Sequence, residues 1–284
     1  MSRDYRHTAG PILSIIMPCH NEEASLVYSV PRLLTAFDKA GYAIALVAVD
    51  NGSSDRTGEV LRELTQSWPN IVPVRVEQNQ GFGFGVLSGI PACTAPWIGM
   101  IAADGQVDAE DMVRLFEEAL ITDGNVLAKV RRRFRMDGPQ RKVISVCYNT
   151  FVRLLWPSMQ SIDINGNPRL LRREALLAMN LKSRDWFLDP EMMIKSHHMG
   201  MRVLELNVFA RMRGAGHSNV RASTCVEFFR HLLEYRFSGG WKREIRAFDA
   251  ARLAPADELV ASTPQKVGSD TPLLARNTVR QPSS

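Results

Sequence analysis

Gly99-Met-Ile-Ala-Ala-Asp-Gly-Gln-Val-Asp108 is a short apolar run that breaks into polar residues at one acid. Trp97 to Ile101, entered through Pro96, has the length and composition of a buried strand. Asp104, Gly105 and Gln106 then fall where that strand opens into a loop. In an open α/β sheet, ligands bind in the crevice outside the carboxyl ends of the strands. A lone carboxylate at this point is either a metal- or phosphate-handling group or an Asp in a β-turn. The rest of the chain has to decide between them.

Upstream, Ile12 to Met17 reads as a strand closed by Pro18, and a helical pattern follows through Leu26, Val30, Leu33, Leu34 and Phe37 as far as Gly41. Ile44 to Val49 is a second strand, with Asp50-Asn-Gly-Ser-Ser-Asp55 as the loop after it. Asp55 is placed to N-cap the helix that runs through Val60, Leu61 and Leu64. Ile71 to Val76 is a third strand, and Gly81 to Gly89 a glycine-rich turn entering another helix. A helix over Ala109 to Leu120 follows the Trp97 strand. Strand and helix thus alternate, which predicts an α/β fold: a mostly parallel sheet with helices on both faces. Beyond this, Val126 to Val130 suggests a strand, Arg141 to Trp156 a helix, Arg172 to Met179 a short helix, Phe187 to Met199 a helix and Val203 to Phe209 a strand. Thr224 to Phe237 has helical spacing, with apolar residues interleaved with Arg230, His231 and Arg236. Residues 251–284 are rich in Pro, Ser and Thr and read as a disordered tail.

The bulk properties exclude several classes. With 284 residues and 45% hydrophobic content, the chain reads as an ordinary soluble protein. It has no unbroken apolar run of the roughly 18 residues needed to span a bilayer. Met1 to Gly10 lacks the apolar segment of a secretory signal. Cys19, Cys93, Cys147 and Cys225 are far apart and form no CxxC pair, so a zinc knot or disulfide framework is not expected. A reduced, cytoplasmic protein is the expectation. The net charge of +5 matters less than where the cations sit.

Polar residues gather at the carboxyl ends of successive strands: His20 and Glu22, then Asp50 and Asn51, then Asp104 and Gln106. Three such loops at one sheet edge suggest a polar ligand pocket, with an acid available to a divalent cation. The plainer alternative makes Glu22 and Asp55 acids that complement helix N-termini. Gly81-Phe-Gly-Phe-Gly85 does not have the G-x-G-x-x-G spacing of a dinucleotide site and does not follow the first strand. Its glycines fit a tight turn and a closely packed helix instead. A phosphate-binding G-x-x-x-x-G-K-[ST] loop is also missing.

Ile15-Ile-Met-Pro-Cys-His-Asn-Glu-Glu23, Val49-Asp-Asn-Gly-Ser-Ser-Asp55, Asn79-Gln-Gly-Phe-Gly83 and Ala102-Ala-Asp-Gly-Gln106, in this order, resemble the signatures of family 2 glycosyltransferases. Arg141-Lys-Val-Ile-Ser145, the segment from Asp163 to Glu174 and Arg213-Gly-Ala-Gly-His-Ser218 are similar to the polyprenyl-phosphate branch, typified by dolichyl-phosphate mannose synthase. The resemblance spans about residues 11–221 and implies a GT-A fold, a Rossmann-like parallel sheet with a smaller acceptor-side subregion. Residues 11–125 would form the nucleotide-sugar half and 126–221 the acceptor half, followed by an amphipathic helix over 222–250. It implies sugar transfer, with inversion, from a nucleotide-diphosphate sugar (a UDP- or GDP-sugar), helped by Mg²⁺ or Mn²⁺. The nucleotide-sugar contacts map onto Pro18, His20, Glu22, Asn51, Asp104 and Gln106, and the metal ligand onto Asp104. There are three departures: His20 stands where Tyr is usual, Asn51 where Asp is usual, and Ala102 replaces the first acid of the metal motif.

Lys129, Arg131, Arg132, Arg133 and Arg135 form a dense basic run, which read alone is a solvated face or a nucleic-acid patch. By the resemblance, Arg131, Arg141, Ser145 and Arg213 bind the acceptor phosphate of a lipid carrier, and no nucleic acid is expected. A phosphate monoester is already anionic at neutral pH and needs no general base, whereas a hydroxyl acceptor does. Asp189 and Glu191 are the carboxylates available for that alternative, and Asp189 reads equally as a cap for the helix begun by Pro190. A degenerate, nucleotide-binding non-enzyme is the remaining alternative. The segment around Val226 to Trp241 either touches an anionic membrane surface or closes over the domain.

Overall fold

The computed structural model describes residue 8 and residues 10–122, 125–135, 139–159, 161–210 and 222–245, and only the backbone of 133–135, 139–145, 210, 222–228 and 244. In chain order the elements are β1 (Leu13–Cys19), α1 (Glu23–Lys39), β2 (Ile44–Asn51), α2 (Thr57–Ser67), β3 (Ile71–Val76), α3 (Phe82–Gly89), β4 (Trp97–Met100), α4 (Ala109–Leu120) and β5 (Val126–Arg135). The remainder are α5 (Pro139–Leu155), β6 (Arg169–Arg172), α6 (Arg173–Met179), α7 (Leu188–His198), β7 (Arg202–Ala210), α8 (Ala222–Ser238) and α9 (Trp241–Glu244).

The strands form one seven-stranded sheet in the order β3-β2-β1-β4-β6-β5-β7. β1 pairs in parallel with β2 and β4, β2 with β3, and β5 with β7, while β6 runs antiparallel between β4 and β5. Helices cover both faces, which is why the central strands are continuous apolar runs and do not alternate with polar residues. Leu13, Ile15 and Met17 of β1 face the core shared with α1 and α4, whereas Ile16 faces the core shared with α3, α5, α6 and α7. β3 lies at the edge, where Pro73 costs no ladder hydrogen bond.

The expected α/β architecture is therefore present, with one strand added. β6 falls on Arg169-Leu-Leu-Arg172, whose last residue the sequence pattern assigns to a helix, and four residues are too few for periodicity to separate strand from helix. Its pairing sets Trp97 against Arg172 and Leu127 against Leu171, stitching β5 to β4. β5 continues through the basic run to Arg135, with a register shift between Arg132 and Phe134. α2 begins two residues after Asp55, not directly after it. Asp55 Oδ1 instead accepts from the Thr57 N–H at 2.9 Å and Oδ2 from the Glu23 N–H at 3.3 Å, so one carboxylate serves the starts of two helices. α8 packs over the domain: Phe229 lies edge-on against Phe151 at 5.0 Å, and Leu232 is fully buried. The expected 251–284 tail lies outside the described residues.

Candidate nucleotide-sugar site and its neighbouring cation network

The loops after β1, β2 and β4 lie side by side because their strands are parallel neighbours in register, with Cys19 against Asp50 and Ile16 against Met100. Cross-bonds tie the first two together. The Asn21 N–H donates to Ser53 Oγ at 3.1 Å, the Ser54 N–H to Asn21 Oδ1 at 2.9 Å, and the Glu22 N–H to Thr57 Oγ1 at 2.9 Å. Glu22 stands at the start of α1, yet its side chain makes no capping bond to that helix. His20 Nδ1 is 3.1 Å from the Asn51 carbonyl oxygen. A carbonyl only accepts, so Nδ1 carries the proton in this contact.

Asn51 explains its own departure from Asp. Its amide donates to Asn79 Oδ1 at 3.2 Å and to the Gly81 carbonyl at 2.9 Å, two acceptors that a carboxylate would repel. Asn51 Oδ1 is buried without a hydrogen-bond partner. The turn held by this amide begins α3, where Gly81 has φ +109°. A Cβ on Gly83 would strike the Ser183 and Asp185 carbonyls at 2.4 and 2.7 Å, so these glycines admit the 183–185 loop. Phe82 stacks on Trp186 at 4.7 Å and the Phe84 N–H donates to the Arg184 carbonyl at 2.7 Å, which fixes that loop against the nucleotide-side turn.

Asp104 is buried in the loop after β4, and its Oδ1 accepts from the Gln106 N–H at 3.1 Å across Gly105, whose φ is +64°. The loop is also held from the far half of the sheet, because the Ala102 N–H donates to Asn167 Oδ1 at 3.2 Å. Among the described residues, no group of three His, Cys, Asp or Glu side chains converges on a possible cation position. With Ala102 in place of an acid, the protein's carboxylate donor in this loop is Asp104.

Next to this loop lies a buried network of ionised groups. Lys129 Nζ reaches the Asp163 carbonyl, Ser161 Oγ at 3.3 Å and Glu205 Oε1 at 3.4 Å, Glu205 being its cross-strand partner on β7. Arg132 forks onto the Asp163 carboxylate with two bonds of 2.9 Å. Burial, with the nearby Arg169 charge, lowers Lys129 to about 8. Burial pushes the Asp163 carboxyl up, but the hydrogen bonds and charge of Arg132 outweigh it and bring the group down to about 2. Two cations of the basic run are thus committed inside the protein. Arg131 is half-buried beside them on β5, the Arg141 and Ser145 side chains lie outside the described residues, and so does Arg213.

Since Asp163 titrates lower in the folded than in the unfolded chain, its contribution is present above the ordinary carboxylate range and lost as pH falls toward about 2. The expected loss is about 2 kcal/mol. It is read as the difference between wild type and Asp163→Asn in urea unfolding across that acid window. Parallel curves for the two proteins would show that the pair carries no pH-dependent stability.

Arg169 is fully buried. Its guanidinium donates to the Ile164 and Gly166 carbonyls at 3.3 and 2.9 Å, to the Asp189 carbonyl at 3.2 Å, and lies 3.2 Å from Asp189 Oδ1. α7 starts one residue before Asp189, with Phe187 at the N-cap position, so the cap reading of Asp189 is corrected: the carboxylate turns inward to Arg169. Burial raises the Asp189 carboxyl against the opposing pull of Arg169, Arg132 and Lys129. Glu191 is consumed structurally, accepting from Lys195 Nζ at 2.6 Å and the Ser183 N–H at 2.8 Å. Asn79, Asn167 and Arg169 were not singled out from sequence. All three stand inside stretches that carry the resemblance, Asn79 in Asn79–Gly83 and Asn167 and Arg169 between Asp163 and Glu174, but they act through contacts between distant segments, which no local pattern shows.

A mostly parallel sheet with polar loops at its carboxyl edge, Asp104 in the loop after the fourth strand and a glycine-rich turn beside it define a nucleotide-sugar type of α/β transferase. The profile of Glycosyl transferase family 2 matches residues 14–178, and the chain belongs to that family. It is a glycosyltransferase with a GT-A fold. An uncharacterized glycosyltransferase of Mycobacterium tuberculosis is 33% identical over 217 residues, covering 76% of this chain and 92% of the relative. The undecaprenyl-phosphate 4-deoxy-4-formamido-L-arabinose transferase of Pectobacterium atrosepticum is 30% identical over 223 residues, 78% of this chain and 66% of that protein. A dolichyl-phosphate beta-glucosyltransferase of Trichomonas vaginalis is 27% identical over 215 residues, 70% and 66% of the two chains. Among solved structures, glucosyl-3-phosphoglycerate synthase of Mycobacterium tuberculosis in complex with UDP superposes with a TM-score of 0.62 at 18% identity, over 81% of this chain and 80% of that one. The same enzyme has been crystallised with Mn²⁺, UDP and glucosyl-3-phosphoglycerate.

Proposed function

We propose that the chain moves a sugar, with inversion, from a nucleotide-diphosphate sugar to a polyprenyl phosphate. The carrying observation is the state of the carboxylates. Asp189 is tied to the buried Arg169 and Glu191 to Lys195, so neither stands ready to deprotonate a hydroxyl. A phosphate monoester acceptor removes that need, because its oxygen is already an anion at neutral pH. The polyprenyl-phosphate relatives named above support this choice of acceptor.

On this reading Pro18, His20, Glu22 and Asn51 line the base and ribose end, with Asn51 Oδ1 accepting a base N–H. Asp104 and Gln106 face the diphosphate. One carboxylate together with ligand phosphate oxygens and water is a donor set that suits Mg²⁺ or Mn²⁺. When bound, the cation would supply Lewis-acid stabilisation of the leaving diphosphate. Arg131, with Arg141, Ser145 and Arg213, holds the acceptor phosphate by paired hydrogen bonds of the kind guanidinium forks make. The acceptor oxygen forms its bond to the anomeric carbon on the face opposite the breaking bond, and the nucleoside diphosphate leaves with that electron pair. Asn167 keeps the Ala102–Gln106 loop in place, and Arg169 fixes the 163–168 loop that carries Asn167.

Arg131→Ala should lower kcat/KM for a polyprenyl phosphate by about a hundredfold, the loss of a charged hydrogen bond, while UDP or GDP affinity in calorimetry stays at the wild-type level. Normal turnover in this variant would remove the phosphate-acceptor reading. A hydroxyl acceptor is the second reading, motivated by burial raising the Asp189 carboxyl. Under it, a folded Asp189→Asn protein loses transfer to a hydroxyl compound, whereas phosphate transfer survives that substitution if the first reading holds.

A further inference from the structure

The loop between α6 and α7, residues 180–187, folds back over the helix it leads into and is bonded there to one buried carboxylate, Glu191. Glu191 Oε2 accepts from the Ser183 N–H at 2.8 Å, and both of its oxygens accept from the Lys182 N–H, at 3.1 and 3.2 Å. Lys195, one turn further along α7 and fully buried, donates to Glu191 Oε1 at 2.6 Å and to the Asn180 carbonyl, where the loop begins, at 3.1 Å. From α8 the Tyr235 hydroxyl donates to the same Glu191 oxygen at 3.4 Å. The carboxylate thus gathers two backbone N–H groups, an ammonium and a phenol, and the charge of Lys195 offsets the cost of burying it.

The next residues of the loop rest on the turn that opens α3. A Cβ on Gly81 would meet the Arg184 carbonyl at 2.5 Å, so the two backbones are in direct contact. Arg184 Nη1 donates to Gln80 Oε1 at 2.9 Å, its guanidinium lies 5.3 Å from the centre of the Phe84 ring, and the Trp186 ring is parallel to Phe82 within 5°. On its other side the same turn is bonded to the nucleotide end of the pocket. The Gly81 carbonyl receives the Asn51 amide, and the Gly81 N–H donates to Asn79 Oδ1 at 2.8 Å. A Cβ on Gly85 would lie 3.0 Å from Asn51 Nδ2 and 3.1 Å from Pro18 Cβ, so α3 packs closely on both residues. Glu191, the 182–186 segment, the Gln80–Phe84 turn and Asn51 form one connected path.

We infer that Glu191 is a positioning residue for donor binding: by fixing the 180–187 loop it holds the Gln80–Phe84 turn, and with it the Asn51 and Pro18 end of the pocket, in the arrangement that accepts a nucleotide. The inference rests on the nucleotide-sugar reading of Asn51 and Pro18 and is independent of the acceptor. A turn released from the loop samples other arrangements, and apparent nucleotide affinity falls by the fraction of molecules left in the competent one. Chemistry after binding is untouched, so kcat at saturating donor should be retained while the donor KM rises. A carboxylate that served stability alone would lower the unfolding midpoint and leave the affinity of the folded protein as it is.

Glu191→Gln keeps the side chain's size, but with its oxygen toward Lys195 its NH₂ faces the Ser183 N–H, donor against donor. Calorimetry of the full chain with UDP and with GDP, in the presence of Mn²⁺, should show affinity lowered about thirtyfold, the loss of a charge-assisted hydrogen bond. Trp186→Ala loosens the same loop from its other end, and because Trp186 is 40% exposed the core is spared. About a tenfold loss is expected there, the size of a stacked aromatic pair. The two losses should combine to less than their product, since either substitution already frees the loop. Wild-type affinity in either variant, shown to be folded by circular dichroism, overturns the inference; Trp186→Ala decides it alone where Glu191→Gln does not fold. A double variant whose loss equals the product of the single losses also overturns it, because two independent sites would then be at work. A wild-type chain that binds neither UDP nor GDP removes the donor-site reading and the inference with it, a result distinct from wild-type binding that the variants retain.

Discussion

Asp104→Ala is expected to lower sugar transfer by about a thousandfold or more and to erase its response to added Mn²⁺, the size of effect seen when a group that stabilises transition-state charge is removed. Where a metal motif has two acids, each can partly cover for the other. Here Ala102 has no donor side chain, and no cluster of three His, Cys, Asp or Glu side chains stands nearby among the described residues to take over. The loop itself should survive the substitution, because Asn167 still holds the Ala102 N–H. Stopped transfer assays at a series of Mn²⁺ concentrations read the first effect, and calorimetry of UDP and GDP with and without Mn²⁺ reads ligand binding apart from turnover. Ala102→Asp is the reciprocal case and should leave activity intact or tighten cation binding. Full activity in Asp104→Ala would sink the metal assignment while leaving the fold untouched.

The largest loss of stability is expected from Arg169→Ala, about 3–5 kcal/mol, the range for removing one partner of a buried ion pair. Arg169 is fully buried, and the change leaves the Asp189 carboxylate and the Ile164 and Gly166 carbonyls without their donor. A cavity adds to that cost. Urea unfolding at neutral pH measures it. Arg169→Met combined with Asp189→Leu removes both charges and keeps much of the volume, so it should recover a large part of the loss. A deficit below about 1 kcal/mol for Arg169→Ala, the level of an exposed pair, would show that water reaches this network.

The consequences for function differ between these two sites. On the proposed reading Asp104, in the loop after β4, faces the ligand diphosphate, so its removal should be felt in chemistry. Arg169 sits on the inserted antiparallel strand and acts through the 163–168 loop, so its removal is felt first in folding and only then in the placement of Ala102 and Asp104.

Most of the sheet was legible from local pattern. The apolar runs of β1, β2 and β4, and the α4 helix over Ala109 to Leu120, could be read because burial on both faces makes strands continuous and burial on one face makes helices amphipathic. β6 was not legible, because four residues carry no period and its identity comes from lying between β4 and β5. The ordered motifs pointed to Pro18, His20, Glu22, Asn51, Asp104 and Gln106 together. The loops that carry those residues are neighbours because parallel register aligns the strand ends.

What the sequence alone determined was the alternation of strands and helices, the family those motifs belong to and the reduction of the acidic motif after the fourth strand to Ala102 and Asp104. Only tertiary structure decided how the departures are accommodated. The Asn51 amide holds the Asn79–Gly81 turn, Asn167 reaches across to Ala102, and Lys129 and Arg132 point their charges inward to Glu205 and Asp163. The physical reason is range. Hydrophobic period and cap chemistry act within a few residues of the chain, whereas a buried charge or amide is stable only once segments far apart in sequence have brought it a partner.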